Sequence, residues 1–463
     1  MKTHSFRNII VGAGPCGLSA VEALLDNSTD PNSILIIDPN IDRPISKANQ
    51  VNKNIAQRAT ELMRNKGAKS TYLYENHGGS VRQSDFWGAS HFPPINFDSS
   101  YGGTRNINQV IKQVAATLKI NENLEDYLDE KQLTKSKIAT NPKQKKIAQE
   151  IENAPNSPFK HSLLSINTAP GEFNTCKKSG LCFQKCPTQA FWNATSHLSA
   201  LRFKYPGLNV ISEKVTHILS NTKEIEISSS KKFTYSRLYL AAGPVNSFEL
   251  LKKSELLSEV HKIKNTPVIM VPFLGPKTTK NDFFSSVVCC DLVLPQYKDK
   301  NLVGFTQLYF ATHELTSNIL STLPKVFLIA LRKVPNLAFY QIFKRIGIAM
   351  IFGGESLDGL SEKETITQMK INLKHVRKTL PKFKLFPLMF IRKTAFKGAS
   401  YHVGSLYDER YPLSSKNLNQ SAINLQKYSI YLVDALGLPQ IPPGPHTFSS
   451  MMIGRMTVQD SLK

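Results

Sequence analysis

Early in the chain a short apolar strand, Ile9-Ile10-Val11, runs straight into Gly12-Ala13-Gly14-Pro15-Cys16-Gly17. A helical run from Leu18 to Leu25 follows, and a second apolar run, Ile34 to Ile37, ends in Asp38. Each part has a physical task. Gly12 permits the tight turn, Gly14 lets the backbone approach a pyrophosphate, and Gly17 lets the helix pack closely on the strand. The helix N-terminus offers free N–H groups and the positive end of its dipole to an anion. Asp38, about 20 residues after Gly17, is placed to accept hydrogen bonds from ribose hydroxyls. Strand, glycines, helix, strand and acid in this order describe a dinucleotide-binding βαβ unit.

At 463 residues the chain exceeds one ordinary core, and two interleaved or consecutive domains are expected. A hydrophobic content of 41 % is that of a globular protein. The charge is unusual: 58 Lys and Arg against 35 Asp and Glu give +23, a field that favours anionic partners. No RNA- or DNA-reading motif accompanies it, so nucleic acid is not expected as a partner. Six cysteines are too few for a disulfide framework, which points to a reducing compartment. Met1 to Arg7 lead directly into the first strand and leave no room for a signal peptide. With no run of 18 apolar residues, no transmembrane helix is expected. A cytoplasmic protein, peripheral at the inner face of the membrane at most, is the expectation.

Beyond the first unit lie Lys- and Asn-rich helical sequence, Ala48 to Lys66, and then Gly78-Gly79-Ser80, Phe86-Trp87-Gly88-Ala89-Ser90 and Gly102-Gly103-Thr104. Such Gly-rich stretches can lay backbone N–H groups against a flat cofactor or serve simply as loops. Lys112 to Lys160 reads as polar, solvated helices. Three of the six cysteines then crowd into one short loop, as Cys176, Cys182 and Cys186. Close thiolates on a Gly- and Pro-containing loop can ligate soft metal or an iron–sulfur cluster, and Cys-x-x-x-Cys-Pro is a ferredoxin-type ending. Zinc held with an outside histidine, His197, is a poorer match in spacing. Three packed, reduced thiols are the other reading.

Leu208–Ile211, Lys214–Ile218, Glu224–Ser228 and Phe233–Leu240 read as a small β-meander. It feeds Ala241-Ala242-Gly243 and a helix through Leu251, a second point of close approach at the far edge of the nucleotide site. From Lys252 to Lys397 no nucleotide motif appears, and this region is read as most of the substrate domain. Within it, Lys325 to Ile351 is nearly all apolar or basic and is expected as short helices broken by Pro324 and Pro335. Lys370 to Lys397 holds nine Lys or Arg and no acid. Apolar faces flanked by cations suit a helix lying on anionic lipid, and equally a buried helix pair with solvated lysines.

Near the end, His402 sits in the turn Ser400-Tyr401-His402-Val403-Gly404-Ser405. Tyr428 to Val433 reads as a buried strand ending at Asp434, and Pro442-Pro443-Gly444-Pro445 leads to His446-Thr447. Two histidines in Gly-bordered turns, bracketing a strand that ends in Asp, suit the removal of a proton from an alcohol, because imidazole titrates near 6.5.

Taken together these motifs resemble the glucose–methanol–choline (GMC) family of FAD-dependent oxidoreductases. The opening from Gly12 to Gly17 with Asp38 is similar to that family's start. Ala241-Ala242-Gly243 through Asn246-Ser247, Leu250-Leu251 and Ser254 resembles its middle segment. His402 to Ser405, Val433-Asp434, Pro439 and His446-Thr447 resemble its close. The resemblance implies an α/β fold in which a Rossmann-like, glutathione-reductase-like FAD-binding domain (1–75, 200–255 and 400–463) interleaves with an α+β substrate domain and cap (76–199 and 256–399, with the cysteine loop at 176–187). It implies FAD held by Gly12, Gly14, Pro15, Gly17, Asp38, Val215, Ala242, Gly243, Asp434 and Thr447. Val215 would hold adenine through its backbone, and Asp434 would contact the phosphate–ribityl region. Either Gly78-Gly79-Ser80 or Gly102-Gly103-Thr104 would meet the flavin. His402 would be the general base beside flavin N5, with His446 orienting the substrate hydroxyl. Some family members carry a 3Fe–4S cluster on cysteines spaced like Cys176, Cys182 and Cys186. That implies electrons leaving for an external acceptor, hence a dehydrogenase acting on a sugar or alcohol. A flavin oxidase, a non-redox lyase and a membrane-surface flavoprotein with structural FAD are the alternatives. The charge suggests an anionic, nucleotide-linked, phosphorylated or lipid-linked sugar as substrate.

Overall fold

A computed structural model describes residues 4–41, 90–91, 107–120, 157–167, 174–177, 186, 188–258, 261–265, 268–284, 292–298, 301–312, 335–353, 362–389, 393–395, 403–408, 424–439 and 441–463. In chain order the first elements are β1 (His4–Val11), α1 (Pro15–Asp26), β2 (Ile34–Ile37), β3 (Ser90–His91), α2 (Ile107–Thr117), β4 (Lys160–His161) and β5 (Leu163–Leu164). Next come α3 (Ala194–Lys204), β6 (Asn209–Ile211), β7 (Val215–Leu219), β8 (Glu224–Ile227), β9 (Lys232–Leu240) and α4 (Pro244–Lys253).

These strands build a seven-stranded sheet in the order β6-β2-β1-β9-β8-β7, to which β18 (Ile430–Leu432) adds by pairing with β9. β6, β2, β1, β9 and β18 are all parallel, with Ile10 opposite Ile36 and Tyr239. Buried on both faces, they need no alternation: Ile9, Ile10, Ile34 to Ile36 and Leu238 to Leu240 are fully shielded. β7 and β8 run antiparallel beside β9. The expected meander is thus shorter than the sequence suggests, because Asn209–Ile211 pairs in parallel with β2 and extends the nucleotide-type sheet.

The second half of the chain holds β10 (His261–Asn265), β11 (Val268–Leu274), α5 (Lys280–Phe284), β12 (Leu292–Lys298), β13 (Asn301–Tyr309), α6 (Asn336–Phe343) and β14 (Ile346–Gly353). It continues through α7 (Glu362–Thr379), β15 (Phe386–Pro387), β16 (Lys393–Ala395), β17 (Val403–Asp408), β18 and α8 (Thr447–Ser461). Antiparallel pairing joins β15-β11-β14-β13-β12-β4 into a second sheet, with β16 also on β11. Its side chains alternate strictly. Ile269, Val271, Leu294, Leu308, Ala349 and Ile351 pack with Met369, Leu373 and Val376 of α7. Val268, Val293, Phe305, Tyr309 and Phe352 point the other way and share one core with Ile10, Leu18 and Phe448.

One expectation changes here. Ile346–Gly353 is an inner strand of this sheet and not part of a helix. A short, wholly buried apolar run looks the same in either state, and here β-pairing on both sides decides. The basic stretch from Lys370 onward belongs largely to α7, whose Met369, Leu373 and Val376 are buried while Lys370, Lys374, Arg377 and Lys378 face solvent. One face of α7 is thus buried on the second sheet, while its other face is basic and carries Ile371, 53 % exposed. No helix among the described residues is long and apolar enough to cross a membrane.

Candidate functional site

The glycine turn is built by close contact. Gly12 adopts φ +104°, and a Cβ there would lie 2.3 Å from the Ala241 carbonyl oxygen, so β1 and the end of β9 meet at a point only glycine allows. A Cβ on Gly17 would lie 2.0 Å from the Gly12 carbonyl oxygen. Gly14 is different: a Cβ there would meet nothing within 4 Å, and Gly14 caps α1 with Pro15 in its first turn. Gly243, at φ +85°, caps α4 and likewise faces open space. Two helix N-termini, each entered through an unobstructed glycine, therefore flank the ends of β1 and β9. This is the cradle a pyrophosphate requires.

Asp38 ends β2 and is buried. Its Oδ2 accepts from the Ala13 N–H at 2.8 Å and its Oδ1 from the Asn40 N–H at 2.8 Å. The carboxylate fixes the glycine turn against β2, and each oxygen retains acceptor capacity for a ribose hydroxyl. Val215 begins β7 and packs in one cluster with Val11, Ile37 and Ile211, the last residues of β1, β2 and β6. Ala242 follows β9, and its carbonyl accepts from the Asn246 side chain at 2.9 Å.

Asp434 follows β18 and is 2 % exposed. It accepts from Ser247 Oγ at 2.6 Å, from the Leu436 N–H at 2.9 Å and from the Gly243 backbone N–H. Burial raises its carboxyl to about 6, against the pull of those donors. Its side chain is spent on holding the Gly243 turn, and contact with a cofactor would fall to the backbone around it. Burial, and secondarily the charge of Asp434, push the Cys16 thiol well above its ordinary range, so Cys16 is an inert thiol.

His446 precedes α8 as its N-cap residue, with Thr447 the first helical position. Its carbonyl accepts from both the backbone N–H and the Oγ of Ser450, each at 2.8 Å. Desolvation pushes its imidazole down to about 4, so the ring is neutral at physiological pH. α8 lies tightly along α1: a Cβ on Gly454 would come 2.8 Å from the Val433 carbonyl oxygen and 3.6 Å from that of Cys16. His402, Gly78-Gly79-Ser80, Gly102-Gly103-Thr104 and Cys182 lie outside the described residues.

A polar group the sequence does not announce lies against Phe448, in the first turn of α8. His91 is fully buried on β3, its Nε2 2.7 Å from Ser165 Oγ, and its ring meets Phe448 edge-on at 6.0 Å. Burial pushes it to about 3. Gln307 of β13 donates to Ser90 Oγ at 3.3 Å and accepts from the Tyr309 hydroxyl at 3.1 Å. Thus Ser90, His91, Ser165, Gln307 and Tyr309 lay a polar strip between the two sheets beside the first turn of α8. The available signals were slight: a histidine after the Phe86–Ser90 stretch, and one glutamine in an alternating strand.

Cys176 and Cys186 pack on one small cluster, Leu164, Ile166 and Ala190. The Cys176 N–H donates to the Asn167 carbonyl at 2.9 Å, and Cys186 Sγ accepts from the Ala190 N–H at 3.3 Å. Neither forms a disulfide with another described cysteine. His197 Nε2 lies 3.0 Å from Glu22 Oε1. Among the described residues no group of three or more His, Cys, Asp or Glu is arranged to hold a metal ion.

Glu22 belongs to a buried polar knot. Arg455 of α8, 2 % exposed, pairs with Glu22 at 3.3 Å and with Asp26, and Thr117 of α2 also donates to Glu22. Desolvation would raise the Glu22 carboxyl, but His197, Thr117 and Arg455 together hold it below its ordinary value. The knot pins α8 to α1, α2 and α3. Arg455→Met is expected to cost about 3 kcal/mol, the scale of a buried pair broken on one side, read as a lower urea midpoint with an unchanged slope.

No protein-family model matches the chain, and no curated protein matches its sequence. Solved structures do. A formate oxidase is 11 % identical with a TM-score of 0.55, over 100 % of this chain and 98 % of that one. A formate oxidase from Aspergillus oryzae RIB40, studied for the effect of a mutation on FAD modification, is 12 % identical with a TM-score of 0.54 over the same shares. Pyridoxine 4-oxidase from Mesorbium loti is 12 % identical with a TM-score of 0.50, over 98 % of this chain and 99 % of that one. At such identities the likeness speaks to architecture: the chain shares the overall fold of these oxidases.

Proposed function

We propose that this protein is an FAD-dependent oxidoreductase that oxidises a CH–OH group of a sugar or alcohol. The observation that carries the reading is the pair of unobstructed glycines, Gly14 and Gly243, each opening a helix N-terminus at the carboxyl ends of β1 and β9. FAD, when bound, supplies a two-electron acceptor for the substrate hydride. Gly14, Pro15 and Gly243 would admit its pyrophosphate, Asp38 would accept from its ribose, and Val215 would lie against its adenine. Asp434 holds Gly243 in the conformation that leaves the cradle open. His402 takes the hydroxyl proton as the C–H bond breaks, and the neutral imidazole of His446 orients that hydroxyl. The positive end of α8 favours negative charge developing at the same place.

Two features bear on the substrate. The charge of +23 supports an anionic portion. The face of the second sheet turned toward α8, with Met270, Met350 and Phe352, supports an apolar one. A lipid-linked, anionic sugar combines them.

Cys176, Cys182 and Cys186 would hold a 3Fe–4S cluster in this proposal, which would supply an exit for electrons to an external acceptor and make the enzyme a dehydrogenase. Support comes from the packing of Cys176 and Cys186 on one cluster. An ultraviolet–visible spectrum of anaerobically purified protein, with iron and acid-labile sulfide assayed on the same sample, is the test. Flavin bands with about three irons per chain are expected. Flavin without iron would leave the cysteines a structural loop and favour the oxidase or lyase alternatives. A colourless protein that takes up no added FAD would remove the central reading.

A further inference from the structure

Helix α7 has one basic face, and the packing of the helix fixes which side it is. Met369, Leu373 and Val376 are buried in one cluster with Ile269, Val271 and Ile351 of the second sheet. At 3.6 residues per turn, Lys370, Ile371, Lys374, Arg377 and Lys378 fall within about 120° of arc on the opposite side of the helix. All five are exposed, Ile371 to 53 %. The other face of the sheet shares its core with Ile10, Leu18 and Phe448, so α7 lies on the far side of that sheet from the nucleotide-type core.

The helix itself does not account for the cations on this face. Its dipole favours Arg377 and Lys378 in the last turn, but Lys370 and Lys374 stand mid-helix. Lys370 with Lys374, and Lys374 with Lys378, are like charges four residues apart, a spacing that destabilises a helix. No acid occurs in the sequence between Glu364 and Asp408. None of the four cations makes an ion pair with a described residue. A cationic ridge held at a cost to its own helix calls for an anionic partner from outside.

We propose that the basic face of α7 docks the protein onto an anionic lipid surface, with Lys370, Lys374, Arg377 and Lys378 meeting headgroup charges and Ile371 entering beside them. Shape and composition favour a bilayer over other polyanions. A helix packed on a sheet presents a convex ridge, here about 12 Å long from Lys370 to Lys378, whose charges can all reach one plane together. The exposed residues of α7 include no aromatic side chain on which nucleic-acid bases could stack. An isoleucine among the cations gains nothing from a soluble polyanion but is buried in a headgroup region. Four clustered Lys or Arg on one helix face are the number that anionic-lipid recognition uses. The inference rests on the packing of α7 and is independent of the enzyme reading.

The test is co-sedimentation of the full-length protein with vesicles of phosphatidylcholine alone and of phosphatidylcholine with phosphatidylglycerol. Binding to the anionic vesicles only, weakening as salt is raised, is expected. Lys374→Gln with Lys378→Gln should weaken it about 25-fold, about fivefold for each cation removed, with circular dichroism unchanged because both side chains are exposed. Lys231→Gln with Lys232→Gln removes the same charge from exposed positions at the start of β9 and should change binding less than about twofold. Ile371→Ser should cost about fivefold, the yield of a half-exposed aliphatic side chain entering an interface. Equal binding to both vesicle types, or unaltered binding by Lys374→Gln with Lys378→Gln, would overturn the proposal. Equal losses in the two lysine pairs would overturn it too, because net charge and not this face would then be what the lipid meets. Unaltered binding by Ile371→Ser, with displacement by soluble polyphosphate, would assign the face to a polyanion instead.

Discussion

Gly17→Ala is expected to leave a chain that neither holds flavin nor completes its first βαβ unit. The new methyl would lie 2.0 Å from the Gly12 carbonyl oxygen and 3.3 Å from the Ala241 side chain, and the nearest obstacle is backbone. Relief requires α1 to move off β1, which uncovers Leu18, Val21 and Leu24, all fully buried. Overpacking a rigid site costs about 3 kcal/mol or more, read as a large drop in the thermal midpoint. Gly14→Val supplies the contrast. Its side chain would enter open space and strain nothing, since Gly14 is extended at φ −73° and ψ −175°. That variant should melt within a few degrees of the parent yet purify without flavin. Retention of flavin by Gly14→Val would mean that the turn is merely structural.

This contrast shows why one part of the site was legible in the sequence. Gly17 is required by a contact within a single βαβ unit, with the Gly12 carbonyl, and Gly12 by its own φ of +104° as well as by the approach of Ala241. Such local requirements leave a spacing that can be read directly. Ala241-Ala242-Gly243 was legible for the same reason, a close approach to Gly12 followed by a helix start. What was hidden depends on contacts between distant segments. His91 gains its meaning from Ser165 and from Phe448, a residue near the other end of the chain. No period or spacing encodes that. Ile346–Gly353 has the composition of any buried segment and becomes a strand because β11 and β13 offer edges on either side. His197 acquires its partner, Glu22 of α1, from a segment 175 residues away. Asp434 was identified by its place after a strand, but the direction of its carboxylate, into Gly243 and Ser247, depends on the three-dimensional turn.

Removal of the two histidines should separate their roles. His402→Ala is expected to leave FAD bound and to slow flavin reduction by roughly 10²–10⁴, the loss typical of a missing general base. Unchanged reduction would exclude His402 from the chemistry. His446→Ala should slow reduction too, but with a different pH signature. Because desolvation holds His446 near 4, its imidazole stays neutral through the range where an ordinary histidine titrates. Its limb in the pH–rate profile should therefore lie near 4, and rates in the parent should show no His446-dependent fall between pH 7 and 5. Stability follows the same sign. Between pH 6.5 and 4 the unfolded chain binds a proton at this position that the folded chain refuses, so stability conferred by the neutral ring is full above 6.5 and declines as pH falls toward 4. Since the ring is only partly buried, the contribution is about 1–2 kcal/mol. His446→Ala should flatten that portion of the curve by this amount in urea melts at stepped pH. A limb near 6.5 that vanishes in His446→Ala would show instead that the ring is charged in the working enzyme, and would make His446 the proton acceptor in place of His402.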